Sequence, residues 1–240
     1  MKRTALLSVL LAISGCAALN SGHYQTDVQR TVQAVPSGKA LLVVPLMGDT
    51  LYIHTIGITI FGNSTAKLKT PDFGINNYVA GIIKTEAGKY NKFDIKTLSQ
   101  KELKRLNTEM SPENPIKTSR LLDLAKLQNT PYLLVIRDRG PGLAGYGVST
   151  RGIFDHHWST IVCMEKMTLY NVSNGHQLVS TVAIKQLKMP LNSMPEKPKG
   201  YTKEKLSATE KEILVLAKKA TEDNLQQLGL IGYFASHTGK

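Results

Sequence analysis

Trp158–Leu187, WSTIVCMEKMTLYNVSNGHQLVSTVAIKQL, carries the reading on which the fold turns. Two runs of alternating apolar and polar residues flank Asn174-Gly175. That dipeptide is the strongest short-range hairpin signal, because a two-residue type I′ turn needs positive φ at both central positions. The stretch therefore reads as two long antiparallel strands. Successive strand side chains point to opposite faces, so Ile161, Cys163, Glu165 and Met167 share one face. An acid in that row fits a domain sheet better than a lipid-facing barrel strand, which needs an apolar outer band and aromatic girdles. Cys163 reads as a buried strand cysteine.

Upstream, PYLLVIRD (131–138) and KALLVVPL (39–46) are short apolar runs without alternation, the mark of strands buried on both faces. Pro45 sits at the end of its strand, where a missing donor does least harm. LYIHTIGITIFG (51–62) reads as another extended segment, alternating through Ile56, Ile58 and Ile60, and KFDIKTL from Lys92 as a strand with Phe93 and Ile95 on one face. In DFGINNYVAGIIKTEAG the residues Ile75, Tyr78, Val79, Ile82 and Ile83 form one helical face, with Asp72 placed to cap it and Gly88 to end it in the left-handed region. Ser99 and Glu102 have capping-box spacing, and TSRLLDLAKLQN (118–129) is a further amphipathic helix. The last helix is expected to start at Ser207 with Glu210, bury Ile213, Leu214, Ala217, Leu225 and Leu228, and end at Gly229. The order strand, helix, strand, helix, strand, hairpin, helix implies an α/β (α+β) fold: a single mixed β-sheet with helices packed mainly on one face.

The amino-terminal end has a different character. Lys2 and Arg3 precede ALLSVLLAI (5–13), then Ser14, Gly15 and Cys16. This is the layout of a secretory signal, and its apolar run is far short of the ~20 residues that span a bilayer. The alternative is an ordinary signal cut near Ala17 or Ala18. ISGC resembles the bacterial lipobox, which implies a signal peptide over 1–15, lipidation of Cys16 and anchoring to a membrane. In that group Ala17 after the cysteine implies the outer membrane, with the body in the periplasm. Residues 16–38 show no sustained periodicity and are expected to be the lipidated Cys and a flexible tether, with 39–232 a single globular domain and 233–240 a loose tail.

The formal charge is +12. A basic exported chain meets anionic lipid or acidic protein faces, so nucleic acid is not expected as a partner. Gly140–Gly152 reads as a glycine-rich loop. It lacks Gly-Lys-Ser/Thr and a following helix, so it is no phosphate cradle. Arg137, Arg139 and Arg151 bracket it and suit contact with carboxylates of a partner. Asp155-His156-His157 would put its two histidines on opposite faces of a strand, a poor start for a metal site. The basic run Lys197–Lys205 reads as a solvated loop. No G-x-S-x-G elbow or H-E-x-x-H is present, and neither catalytic residue nor cofactor is expected.

ALLVVPL, KFDIKTLSQKELKRL, LLDLAKLQNTPYLLVI, MTLYNVSNGHQLVST and the last helix resemble a pattern shared by three groups. These are the amino-terminal domain of the Tol-system propeller protein TolB, the curli secretion lipoprotein CsgG and the outer-membrane lipoprotein activators of penicillin-binding proteins. The resemblance implies a non-enzymatic accessory or adaptor that binds another cell-envelope protein. The alternatives are a subunit of an oligomeric CsgG-like export channel, which leaves a homo-oligomer open, and an enzyme acting on envelope polymers.

Overall fold

The computed structural model describes residues 27–57, 63–109, 115–138, 145–153 and 156–231. Eight strands form one mixed sheet: β1 (Lys39–Leu46), β2 (Thr50–Ile56), β3 (Ser64–Lys69), β4 (Phe93–Thr97), β5 (Tyr132–Arg137), β6 (Tyr146–Ile153), β7 (His156–Asn171) and β8 (Gln177–Lys188). The helices are α1 (27–34), α2 (Ile75–Gly88), α3 (Gln100–Glu109), α4 (Thr118–Leu127) and α5 (Lys203–Gln227).

The sheet is organised by β7. Its 16 residues cover roughly 53 Å at 3.3 Å per residue. β8 pairs with it from Thr160 to Tyr170 and so holds one edge. β5 pairs with residues 166–171 and β6 with 156–163, so both must lie end to end along the other edge. β6 thus resumes the line of β5 after an insertion over 138–145. β1 runs parallel to β5 and β2 parallel to β6, so β2 resumes the line of β1 in the same way. β4 flanks β1 and β3 flanks β2. The result is a long sheet with a near half, β4-β1-β5-β7-β8, and a far half, β3-β2-β6-β7-β8.

Parity is kept along every line, which gives the sheet two faces. On the first, Leu41, Val43, Leu134, Ile136, Tyr146, Val148, Ile161, Cys163, Met167 and Leu169 join the large core with residues of α1, α2 and α5. On the second, Leu42, Val44, Leu46, Leu133 and Val135 join a smaller core with Leu103, Leu106, Leu121 and Ala125 of α3 and α4. Among the described residues, three helices including the longest cover the first face, as expected, and two short ones cover the near half of the second.

Several local expectations change. The body begins before Lys39. Val28, Val32 and Val35 lie at i, i+4 and i+7 and are buried in the large core, so 27–34 is helix and not tether. Lys92 fastens its end, donating from Nζ to the carbonyl oxygens of Gln33, at 3.0 Å, and Val35. These are carbonyls a helix terminus leaves without partners. α2 starts at Ile75 behind Gly74 at φ 57°, after a 3-10 turn Pro71–Phe73, and no side chain caps it, Asp72 included. Gly88 is its last helical residue, and Asn91 takes the left-handed position at φ 51°. α5 begins at Lys203, one turn ahead of Ser207, because Thr202 accepts a hydrogen bond from Lys205 N at 3.3 Å. Part of the basic run Lys197–Lys205 is therefore helix. The capping box forms as read: Ser99 N donates to Glu102 Oε2 at 2.9 Å and Glu102 N donates to Ser99 Oγ at 3.3 Å.

The hairpin between β7 and β8 exists, but its loop spans 172–176 and only Gly175 has positive φ, at 69°. Val172 is drawn into the smaller core and donates its N–H to Pro131 O at 2.9 Å, which lengthens the turn. Asn171 Oδ1 accepts from Ser173 N, and Asn174 Oδ1 accepts from His176 N, both at 3.0 Å, so each asparagine closes a local turn.

Candidate functional site

The second face of the far half carries no helix from the described residues. Three rows cross it, set by the register. Lys67, Tyr52, Gly147, Val162 and Gln186 form one, Thr65, His54, Ser149, Thr160 and Lys188 the next, and Ile56, Arg151 and Trp158 the third. Ile184 stands beside Met164 in the adjoining row. A groove of about 270 Å³ runs here, lined in part by His54, Ile56, Ser149, Val162 and Met164.

The chemistry of this face is apolar and basic. Trp158 is 52 % exposed, Ile184 42 % and Ile56 40 %. Burying such side chains is worth roughly 1.5–3 kcal/mol each, so their exposure on one face marks a surface that gains by being covered. Arg151, Lys188 and Lys67 are exposed on the same rows. The rows hold no carboxylate among the described residues. His54 takes Thr65 Oγ1 as a partner at 2.9 Å, and partial burial pushes its pKa down, which favours the neutral ring. Gly147 forms the floor: a Cβ there would collide with the Tyr52 carbonyl oxygen, so the strands meet closely and the groove stays open above them.

The residues singled out from sequence fare differently. Cys16 and Arg139 lie outside the described residues. Arg151 lies on β6, not in a loop, because the expected loop Gly140–Gly152 gives way to strand at Tyr146. It faces outward between Ile56 and Trp158. Arg137 lies on the same face but at the end of β5, opposite Lys166, and its Nη2 donates to Ile116 O at 2.8 Å. Eight positions of β7 separate Lys166 from Trp158, roughly 26 Å, so Arg137 and Arg151 do not form one contact. Trp158 was not singled out from sequence, although a lone tryptophan at a polar end of an alternating run signals an exposed aromatic.

His156 and His157 point to opposite faces, as read. His157 lies near Glu196, Nδ1 to Oε1 3.8 Å, and its Nε2 is 3.0 Å from Met194 O. No group of three or more His, Cys, Asp or Glu that could hold a metal is found among the described residues. Cys163 is fully buried on the first face, and burial pushes its thiol pKa well above the ordinary value. Glu165 is a perturbed carboxyl. It is buried between β7 and α5, where Thr221 Oγ1 donates to Oε2 at 2.9 Å and Asn224 Nδ2 donates to Oε1 and to the Glu165 carbonyl at 3.2 Å. Burial pushes its pKa up to about 7 against these bonds. This carboxyl faces a helix and not a groove, so it fastens α5 and is not placed to meet a substrate.

Fold and face together define an α+β single-sheet protein with a basic, aromatic surface at one end. No family model matches the chain, and no curated protein matches it. Solved structures similar to it include the LpoB C-terminal domain from Salmonella enterica, with 17 % identity, 68 % of this chain and 96 % of that one covered, and a TM-score of 0.31. The PelC dodecamer from Paraburkholderia phytofirmans has 14 % identity, 81 % and 90 % coverage and a TM-score of 0.37. Lipoprotein GNA1162 from Neisseria meningitidis has 14 % identity, 73 % and 97 % coverage and a TM-score of 0.33. At these values the likenesses carry no argument about what this chain does.

Proposed function

We propose that this chain is a lipid-anchored accessory protein of the bacterial cell envelope, tethered at Cys16 to the outer membrane and acting in the periplasm by binding another envelope protein. One observation carries the reading: ISGC, ending at Cys16, follows a short apolar run behind Lys2 and Arg3. The body supports it in two ways. α1 is stitched into the core by Val28, Val32 and Lys92, so residues 17–26 are all that separates the anchor from a folded surface. No described helix is long and apolar enough to cross a membrane.

The reading as an export-channel subunit asks β7 and β8 to face lipid. Glu165 in the middle of β7 is instead engaged by Thr221 and Asn224 of α5, which favours the adaptor.

Replacing Cys16 with Ser tests the anchor. Metabolic labelling with a fatty-acid analogue should be lost and the protein should leave the membrane fraction. Labelling and fractionation unchanged in Cys16→Ser would sink the reading.

A further inference from the structure

We propose that the far half of the second sheet face is a docking surface for an extended, acidic segment of a protein partner, resting on the accessory reading above. Three features of the face define what fits it.

The first is charge. Arg151 and Lys188 are exposed on adjoining rows, Lys67 stands at the β3 side, and the rows contain no carboxylate among the described residues. Asp49, at the margin, is engaged by Lys69 at 2.8 Å. A face of one sign steers opposite charge onto it and repels its own kind. A second copy of this chain would bring the same cations against it, so self-association through this face is disfavoured.

The second is the spacing of the anchors. Ile56 lies two strands from Trp158 in the same row, and Ile184 lies on β8 three rows further along, roughly 20 Å from Trp158, with the groove between them. Arginine beside a tryptophan is the composition of interface hot spots. Five strands 4.8 Å apart and the four rows from Trp158 to Ile184 make a patch of roughly 500 Å², below the ~800 Å² each partner contributes to a standard interface. Such a patch suits a short segment lying across the strands. At 3.3 Å per residue, about six residues cover its width.

The third is position. The chain enters the body through α1 and the start of β1, and β1 meets β5 at Tyr132, which lies opposite Asn171. Trp158 is at the other end of β7, about 43 Å away. Residues 17–26 at full extension reach at most about 36 Å. The face is therefore distal to the proposed anchor, where a partner and not the anchoring lipid meets it.

The test places a photoreactive phenylalanine analogue at Gln186, exposed on this face, and separately at Leu127, exposed on α4, in the full chain in intact cells. Crosslinking from Gln186 should give one dominant protein adduct whose crosslinked peptide carries net negative charge. Trp158→Ala, and Arg151→Glu combined with Lys188→Glu, should each lower its yield roughly ten-fold, the effect of losing a hot-spot anchor or reversing interface charge. Arg151→Ala with an unchanged melting temperature guards against misfolding and should lower the yield in the same direction. A neutral or basic crosslinked peptide, an adduct to lipid or to a second copy, or a yield indifferent to these substitutions overturns the proposal. A protein adduct from Leu127 alone overturns this surface and leaves the accessory reading standing. No protein adduct from either position overturns both.

Discussion

Glu165 shows how a single residue links sequence, packing and pH. Its place on the face of Ile161, Cys163 and Met167 is legible from alternation. Its partners are not, because Thr221 and Asn224 lie 56 and 59 positions away and meet it only when α5 packs on β7. An ordinary glutamate titrates near 4.5, and burial raises this one to about 7 in the fold. The native state therefore holds the proton more tightly than the unfolded chain. Stability from this group is full below about 4.5 and declines as pH rises towards about 7, by at most about 1.4 kcal/mol per pH unit. Glu165→Gln keeps an acceptor for Thr221 and removes the charge. Melting temperatures taken from pH 4 to pH 8 should be flatter for the variant across that window; an identical slope would show that Glu165 does not titrate there. Gly175 makes a separate prediction. The expected two-residue turn is in fact a five-residue loop, yet Gly175 still holds φ 69°. Val at 175 should cost more than ~1 kcal/mol through backbone strain, read as a lower urea midpoint with the same m-value.

At the scale of elements, regular periodicity was readable and long-range capture was not. The hairpin strands, α2, α3 and its capping box, and α4 follow from spacing alone. α1 is not legible in the sequence because two turns marked by three valines, Val28, Val32 and Val35, are too short a pattern to stand out from a polar stretch. Its helicity depends on tertiary burial and on Lys92, which comes from far along the chain. β3 is not legible either: none of the residues of STAKLK is buried, and the stretch has little apolar signal. Two outcomes should follow. Lys92→Ala leaves carbonyls of Gln33 and Val35 without a donor and should destabilise by about 1–3 kcal/mol, detectable as faster proteolysis near α1. A chain starting at Ser21 should fold and remain in solution without detergent, whereas one starting at Lys39 loses three buried valines and should be less stable by several kcal/mol. Equal stability of the two would return 27–38 to the status of a tether.

For the whole molecule, the mixed sheet and its fold class were legible from element order. The division into near and far halves was not, because it depends on which strands share an edge of β7. The candidate site is legible only in fragments: Arg151 stands out in the sequence, but its row neighbours Ile56 and Trp158, and Ile184 further along the same face, come from three other strands and are joined by register alone. That register also has a mechanical meaning. A protein held at α1 and gripped at the far end is pulled along the axis of β1, β5 and β7, parallel to its strands. The hydrogen bonds between those strands then carry the load side by side, in shear, and must fail together. A pull across the strands would open them one after another. Force applied between residues 27 and 158 should therefore meet a higher rupture force than force applied between Lys67 and Gln186, across the far half. With the proposed anchor at one end and the proposed partner at the other, the long β7 would act as a tie rod, carrying tension between them without bending the sheet.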